Sequence, residues 1–213
     1  AKTPIPLGNA VGGGLHSHIK GEPVFQEFLI IPKGKTFKEN VRIMSNVYNK
    51  VGRLIKASSR DDESAWQTTL DEEKILKLLA RFKDKTNIGI DIASSTFFKS
   101  GKYMYNDKIL SKDEQIDYIN ELISNYNLFY VEDPLNEDDF RGFSRINKKK
   151  CLIIGDDLTA TQLSRLKKAI KNKSINAAII KPNQNGSLLE LAKIFKFCKK
   201  RKIKTIMSHR AGE

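Results

Sequence analysis

Ala177-Ala178-Ile179-Ile180-Lys181-Pro182-Asn183-Gln184-Asn185-Gly186 is the stretch whose reading decides the fold. A short apolar run drives into a lysine, Pro-Asn-x-Asn-Gly turn chemistry follows, and Ser187 opens an amphipathic helix. Apolar runs of this length bounded by turn residues read as buried strands. A lysine at such a strand exit has two readings. It reaches water, or it stays partly buried, where lost hydration disfavours the charged form and opens its pKa to the tuning a general base needs.

The pattern recurs along the chain. Ile88–Asp91, Leu128–Glu132 and Leu152–Asp156 are apolar runs ending in a carboxylate, and Thr205–Arg210 runs into polar residues from Ser208. The marked residues Asp91, Glu132, Asp156, Lys181 and Ser208 fall 41, 24, 25 and 27 positions apart. Amphipathic helices are expected between them. Ser111-Lys112-Asp113-Glu114 is a capping box ahead of Ile116, Ile119, Leu122 and Ile123. Asp138–Asn147 reads as a short helical segment, with further helices over Thr161–Lys173 and Ser187–Lys202. Near-equal βα units argue for a parallel sheet with helical crossovers, and their polar residues sit at strand C-terminal ends, the rim where barrel active sites are built. An open doubly wound sheet also binds ligands there, but no glycine-rich phosphate fingerprint follows any of these strands. The fold class expected is α/β, a TIM-like β/α barrel of about seven strands ending at Thr205–His209, a single domain over residues 1–213.

Upstream, Ala1–Gly14 is Gly- and Pro-rich and reads as loop. Phe25–Pro32 reads as a strand, Thr36–Ala57 as a helix, and Ser58–Thr69 as an irregular acidic loop. Asp71 can cap a helix carrying Ile75, Leu78, Leu79 and Phe82 on one face.

Composition narrows the class. The 213 residues are 39% hydrophobic with no long uncharged apolar stretch, so no transmembrane segment is expected. No leader with a cleavage site opens the chain, so no signal peptide is expected, and a cytoplasmic location is expected. Cys151 and Cys198 make neither a disulfide framework nor a metal spacing. The net charge is +13, which can mean nucleic acid or an anionic ligand. No aromatic interleaving or groove-binding motif accompanies it, and solvated helix faces account for it better.

Three carboxylates on one rim repel one another unless a cation sits among them, and hard oxygen donors without Cys and with few His call for Mg²⁺ rather than Zn²⁺. Each alone also reads as a carboxylate capping a neighbouring helix. Asp133 and Asp157, each beside a proposed ligand, read as supporting or capping groups. Glu27 alone reads equally as a strand-surface carboxylate, and Glu63 as part of a solvated acidic run.

The chain resembles the enolase family. The resemblance rests on Gly-Gly-x-His at Gly13–His16, Gln26-Glu27-Phe28, Asp62-Glu63, Ile90–Ser95, Val131-Glu132-Asp133-Pro134, Gly155–Thr159, Lys181-Pro182-Asn183-Gln184 and Ser208–Glu213, in the family's order. It implies a lyase, an enolase-type barrel domain and Mg²⁺-dependent dehydration of 2-phosphoglycerate to phosphoenolpyruvate, a step of glycolysis. Lys181 would be the base and Glu63 the acid that assists departure of hydroxide, with Glu27 and His209 beside it. Asp91, Glu132 and Asp156 would hold Mg²⁺, the last two also contacting substrate. His16 would come from a mobile loop, and Ser208, Arg210 and the backbone at Ala211 would bind phosphate. The resemblance also implies a homo-oligomer, and makes nucleic acid and membranes unexpected partners. Ser64 stands where the family usually has Gly, Gln67-Thr68 where it has Ala-Pro, Asn185 where it has an apolar residue, and Ala211 where it has serine. An N-terminal domain with a metal-binding serine and a last strand with a second lysine are expected of the family and not found in these 213 residues, so the isolated chain is expected to be inactive. A non-catalytic scaffold or nucleic-acid-binding protein is the competing reading, and another acid-sugar member of the superfamily is a third. That third reading lacks the Lys-x-Lys it would need on an early strand.

Overall fold

The computed structural model describes residues 3–16 and 19–208. Seven strands form one sheet in strictly sequential order: β1 (Gly8–Gly12), β2 (Glu27–Pro32), β3 (Thr86–Asp91), β4 (Tyr130–Glu132), β5 (Leu152–Gly155), β6 (Ala177–Ile180) and β7 (Lys204–Met207). From β3 to β7 every pairing is parallel, as the regular βα spacing predicts. The first two pairings are antiparallel. The result is an α/β sheet curled into most of a barrel. Residues 8–12 correct the reading of Ala1–Gly14 as loop: they pair with β2 through a register shift between Asn9 and Val11, and supply the seventh strand.

The helices are α1 (Phe37–Leu54), α2 (Glu72–Leu79), α3 (Lys112–Tyr126), α4 (Phe140–Phe143), α5 (Leu163–Lys171), α6 (Pro182–Asn185) and α7 (Leu188–Arg201). Local chemistry starts them where expected. Thr36, Asp71 and Ser187 each accept an N–H of the first turn, and Ser111 with Glu114 forms the capping box. The segment expected over Asp138–Asn147 is helical only at Phe140–Phe143. Between β3 and α3 lies a small antiparallel sheet of Phe98–Lys99, Lys102–Met104 and Ile109–Leu110 that sequence patterning did not reveal.

Period-two alternation divides the sheet's side chains. Phe28, Ile30, Ile88, Ile90, Val131, Ile153, Ala178 and Ile180 pack outward with helix residues such as Val47, Ile75, Ile119 and Ile194 into the larger core. Leu29, Ile31, Tyr130, Ile154, Ala177 and Ile179 form a second cluster inside the curl. Glu27, Asp91, Glu132, Asp156, Lys181 and Ser208 share the inward parity. A side chain of alternating sign therefore cannot explain them as solvent-facing residues; they stand at the mouth of the inner layer. Asp91 pairs with both Glu27 and Glu132. Beyond them the site residue moves two positions further along β5 and again along β6, the stagger that tilted strands need to keep their ends level.

Candidate active site

The three strand-end carboxylates are all buried: Asp91 and Glu132 are 6% exposed and Asp156 is 8% exposed. Asp91 Oδ1 accepts the N–H of Ala93 at 3.0 Å. Tyr130 donates its hydroxyl to Glu132. Gly89 makes room for that tyrosine, since a Cβ there would lie 2.9 Å from the Tyr130 Cβ. Asp156 pairs through Oδ2 with the Lys181 ammonium, while its buried Oδ1 has no hydrogen-bond partner. Lys181 is fixed from below, its N–H donating to Thr161 Oγ1 at 3.0 Å, and Thr161 in turn donates to Gln184 at 2.9 Å. Asn185 Nδ2 donates to the Thr161 carbonyl at 2.9 Å, so this departure from the family pattern ties the loop after β6 to the loop after β5.

Asp133 has the supporting role its position predicted. It is 3% exposed, and its carboxylate accepts N–H groups of Asp156 at 3.2 Å, Asp157 at 2.6 Å and Leu158 at 3.5 Å. It thereby fastens the start of the loop that bears Asp156. Ala93, Asp133, Ala160 and Thr161 all have positive φ, so the loops leaving β3, β4 and β5 each carry backbone strain at this rim.

Electrostatics shows how tightly the acids crowd. Burial pushes Asp91 well above the ordinary carboxylate range, and the charges of Glu27, Asp133 and Asp156 push it further. Burial raises Glu132 likewise, helped by Asp91 and Asp156 and opposed by Tyr130 and Lys181. Glu27 is raised by burial, by Glu132 and by a hydrogen bond to Glu63. Lys181 stays partly buried, the second of its two readings, and its pKa balances opposing effects. Burial does lower it, but the charge and hydrogen bond of Asp156, with Glu132 and Asp91 behind, outweigh burial and leave it above the usual lysine value. A cation beside three buried carboxylates gains more than its desolvation costs.

The acidic loop brings Glu63 to the same mouth. Its carboxyl meets Glu27 and lies 3.8 Å from His16 Nε2, while His16 Nδ1 is 2.8 Å from Asp62 Oδ1. Ser64 has φ +65°, a left-handed conformation that glycine adopts without strain. Ser208 sits just past β7, its N–H donating to the Ile180 carbonyl at 3.2 Å. His209, Arg210 and Ala211 lie outside the described residues. The structure therefore brings Glu27, Glu63 and His16 together on one side, and Asp91, Glu132, Asp156 and Lys181 on the other, with Glu27 joining the two. Asp61, which the sequence reading left in a solvated acidic run, is buried.

The donor set suits a hard divalent cation: all oxygen, mutually repelling, with one buried oxygen of Asp156 unmet. Among the described residues, no group of three Asp, Glu, His or Cys is placed to hold a metal ion as it stands; Asp156 is paired with Lys181 and Glu132 with Tyr130. A surface groove lies elsewhere. It has a volume of about 350 Å³, is lined by Lys33, Arg42, Lys50 and Lys85 among others, and lies against α1. Its lysines fit the solvated-face account of the net charge.

The family model for the enolase C-terminal TIM barrel domain matches residues 1–213. The chain belongs to the enolase family. It is 39% identical to the enolase of Archaeoglobus fulgidus over 99% of this chain and 56% of that protein. It is 34% identical to the enolase of Picrophilus torridus over the same shares, and 40% identical to that of Sulfurisphaera tokodaii over 99% of this chain and 54% of that protein. The enolase barrel described here thus spans about half the length of the curated relatives it matches. Among its described residues no helix is long and apolar enough to cross a membrane.

Proposed function

We propose that the full-length protein dehydrates 2-phosphoglycerate to phosphoenolpyruvate, a hydro-lyase reaction of glycolysis, with Mg²⁺ held by Asp91, Glu132 and Asp156. The observation that carries the reading is the convergence of those three buried carboxylates with Lys181 on one rim. A proton next to a carboxylate is very weakly acidic, and a Lys base with Mg²⁺ stabilising the ene-diolate is the known pattern of enolase-superfamily sites. Mg²⁺ held by Asp91, Glu132 and Asp156 would supply positive charge where negative charge develops. Lys181 is the base for the C2 proton once the Asp156 carboxylate is drawn off its ammonium, since that ion pair and the neighbouring carboxylates otherwise hold it protonated. Glu63 gives a proton to the departing hydroxyl, with Glu27 and His16 setting its surroundings. Glu132 and Asp156 also contact substrate. Ser208, Arg210 and the Ala211 backbone take the phosphate, Arg210 as charge partner, and His209 completes that side. Asp133 holds the Asp156 loop through its three N–H bonds. The reading extends to a single barrel domain over 1–213 in a cytoplasmic homo-oligomer.

The test is turnover of 2-phosphoglycerate by the full-length protein with Mg²⁺. The reading expects phosphoenolpyruvate to form, a chelator to stop it, and Asp91→Ala to abolish it. Absence of turnover in the intact, metal-loaded protein overturns the reading.

A further inference from the structure

Asp61 is a buried carboxylate that the proposed reaction leaves unused. Its Oδ1 accepts the N–H of Glu63 at 3.0 Å and of Ala65 at 2.8 Å. Its own N–H donates to the Ala65 carbonyl at 2.9 Å, and its carbonyl accepts the Ser64 N–H at 3.1 Å. These bonds close residues 61–65 into one loop with Glu63 at its tip. The same loop presents Asp62 to His16 and Glu63 to Glu27.

The loop is seated on the barrel through its buried side. The Trp66 carbonyl accepts the Gly12 N–H at 3.1 Å, and the Trp66 N–H donates to the Ala10 carbonyl at 3.2 Å. Asp61 Oδ2 is buried without a hydrogen-bond partner and lies against Gly12, where a Cβ would come within 1.7 Å of it. From α1, the Tyr48 hydroxyl donates to the Ser64 carbonyl at 2.5 Å. Burying a carboxylate with one oxygen unmet is costly. What the arrangement gains is a fixed path from β1, through Gly12 and Asp61, to the backbone of Glu63.

We infer that Asp61 is the positioning residue for the proton donor Glu63, with Gly12 as the socket that admits it. This rests on the catalytic reading above. The role is that of a backbone acceptor, so the negative charge is dispensable and the oxygen is not. Asp61 is not among the residues proposed to hold substrate or metal, and its loss should therefore separate the two halves of the reaction. Removal of the C2 proton depends on Lys181 across the mouth. Departure of hydroxide depends on Glu63.

The experiment compares exchange of the C2 proton of 2-phosphoglycerate with solvent against net dehydration, in the full-length protein with Mg²⁺. Misplacement of a catalytic group by about 1 Å costs on the order of 10²-fold. Asp61→Ala should lose dehydration to about that extent while keeping exchange within about threefold. Gly12→Ala, which displaces Asp61 from the other side, should show the same split. Asp61→Asn retains an acceptor oxygen and should keep both activities within about threefold of the unsubstituted protein. Equal loss of exchange and dehydration in a folded Asp61→Ala, or loss of neither, overturns the inference, as does an Asn variant as impaired as the Ala one. Normal exchange in Lys181→Ala overturns the catalytic reading instead.

Discussion

Replacing Asp133 by alanine removes one carboxylate and strands the loop that carries Asp156. The structure sets the magnitude. Of the three N–H groups it accepts, those of Asp157 at 2.6 Å and Asp156 at 3.2 Å are good bonds, and that of Leu158 at 3.5 Å is marginal. Asp156 is buried, so its N–H has no ready substitute, and an unmet buried donor costs about 1–3 kcal/mol. Asp157 is exposed and water can replace its bond. Position 133 has φ +38°, and alanine tolerates that region less well than aspartate. Against this stands relief: burial and the charges of Asp157, Glu132 and Asp156 all disfavour an ionised Asp133, and alanine removes that repulsion. The net expectation is a loss of about 1–3 kcal/mol for Asp133→Ala and less than about 1 kcal/mol for Asp133→Asn, which keeps an acceptor oxygen. Because Asp133 holds the loop of the proposed metal ligand Asp156, Mg²⁺ affinity should also fall by about 10–100-fold in the alanine variant. Urea unfolding and calorimetric Mg²⁺ titration of the full-length protein measure the two effects. An alanine variant with unchanged stability and unchanged Mg²⁺ affinity refutes the reasoning, and an asparagine variant as damaged as alanine refutes the acceptor argument.

Ser64→Gly should raise the urea midpoint slightly, because relief of a left-handed serine, about 1–2 kcal/mol, exceeds the backbone entropy of glycine, about 0.5–1 kcal/mol; a lower midpoint contradicts it. Burial holds the Cys198 thiol up at about 11 and the Cys151 thiol at about 12, from an ordinary 9.0. The folded state therefore keeps protons that the unfolded chain releases. Their stabilisation is full below about 9 and is lost as pH rises through those values, with a slope of up to about 1.4 kcal/mol per pH unit per group; alkaline urea titrations that stay flat would refute it. The isolated 1–213 chain should associate and fail to dehydrate 2-phosphoglycerate. Among the described residues β7 has one neighbouring strand, the outer edge of β1 is met only by a bridge to Trp66, and Leu188, Leu189 and Met207 are 82%, 78% and 60% exposed. A monodisperse monomer with turnover by light scattering and assay would contradict that.

The residues legible in sequence were those where a periodic signal ended abruptly. An apolar run stopping at Asp91, Glu132, Asp156 or Lys181 marks both a strand and its rim end. β1 escaped notice because Gly8, Gly12 and Gly13 carry loop composition, yet Gly12 is needed where Asp61 presses on the strand. β2 runs antiparallel to β3, so its rim residue Glu27 stands at the strand's start. A search for polar strand ends cannot find it, and the motif resemblance did. The small sheet after β3 has strands of two and three residues, too short for alternation to register. Asp61 and Asp62 are adjacent acids of opposite fate, one buried and one exposed; the N–H bonds Asp61 accepts from Glu63 and Ala65, and its seat against Gly12 across 49 positions, tell them apart. The direction of the Lys181 pKa was not legible, because it depends on carboxylate neighbours contributed by other strands.

The central claim is that Lys181 is the base of a C2 proton abstraction. Exchange of the C2 proton of 2-phosphoglycerate with deuterated solvent, followed by NMR in the full-length protein with Mg²⁺, tests it most directly. The account predicts exchange in the unsubstituted protein and none in Lys181→Ala, whose Mg²⁺ affinity stays close to normal because the lysine acts on the proton. Exchange at the normal rate in Lys181→Ala would contradict it and assign the base elsewhere.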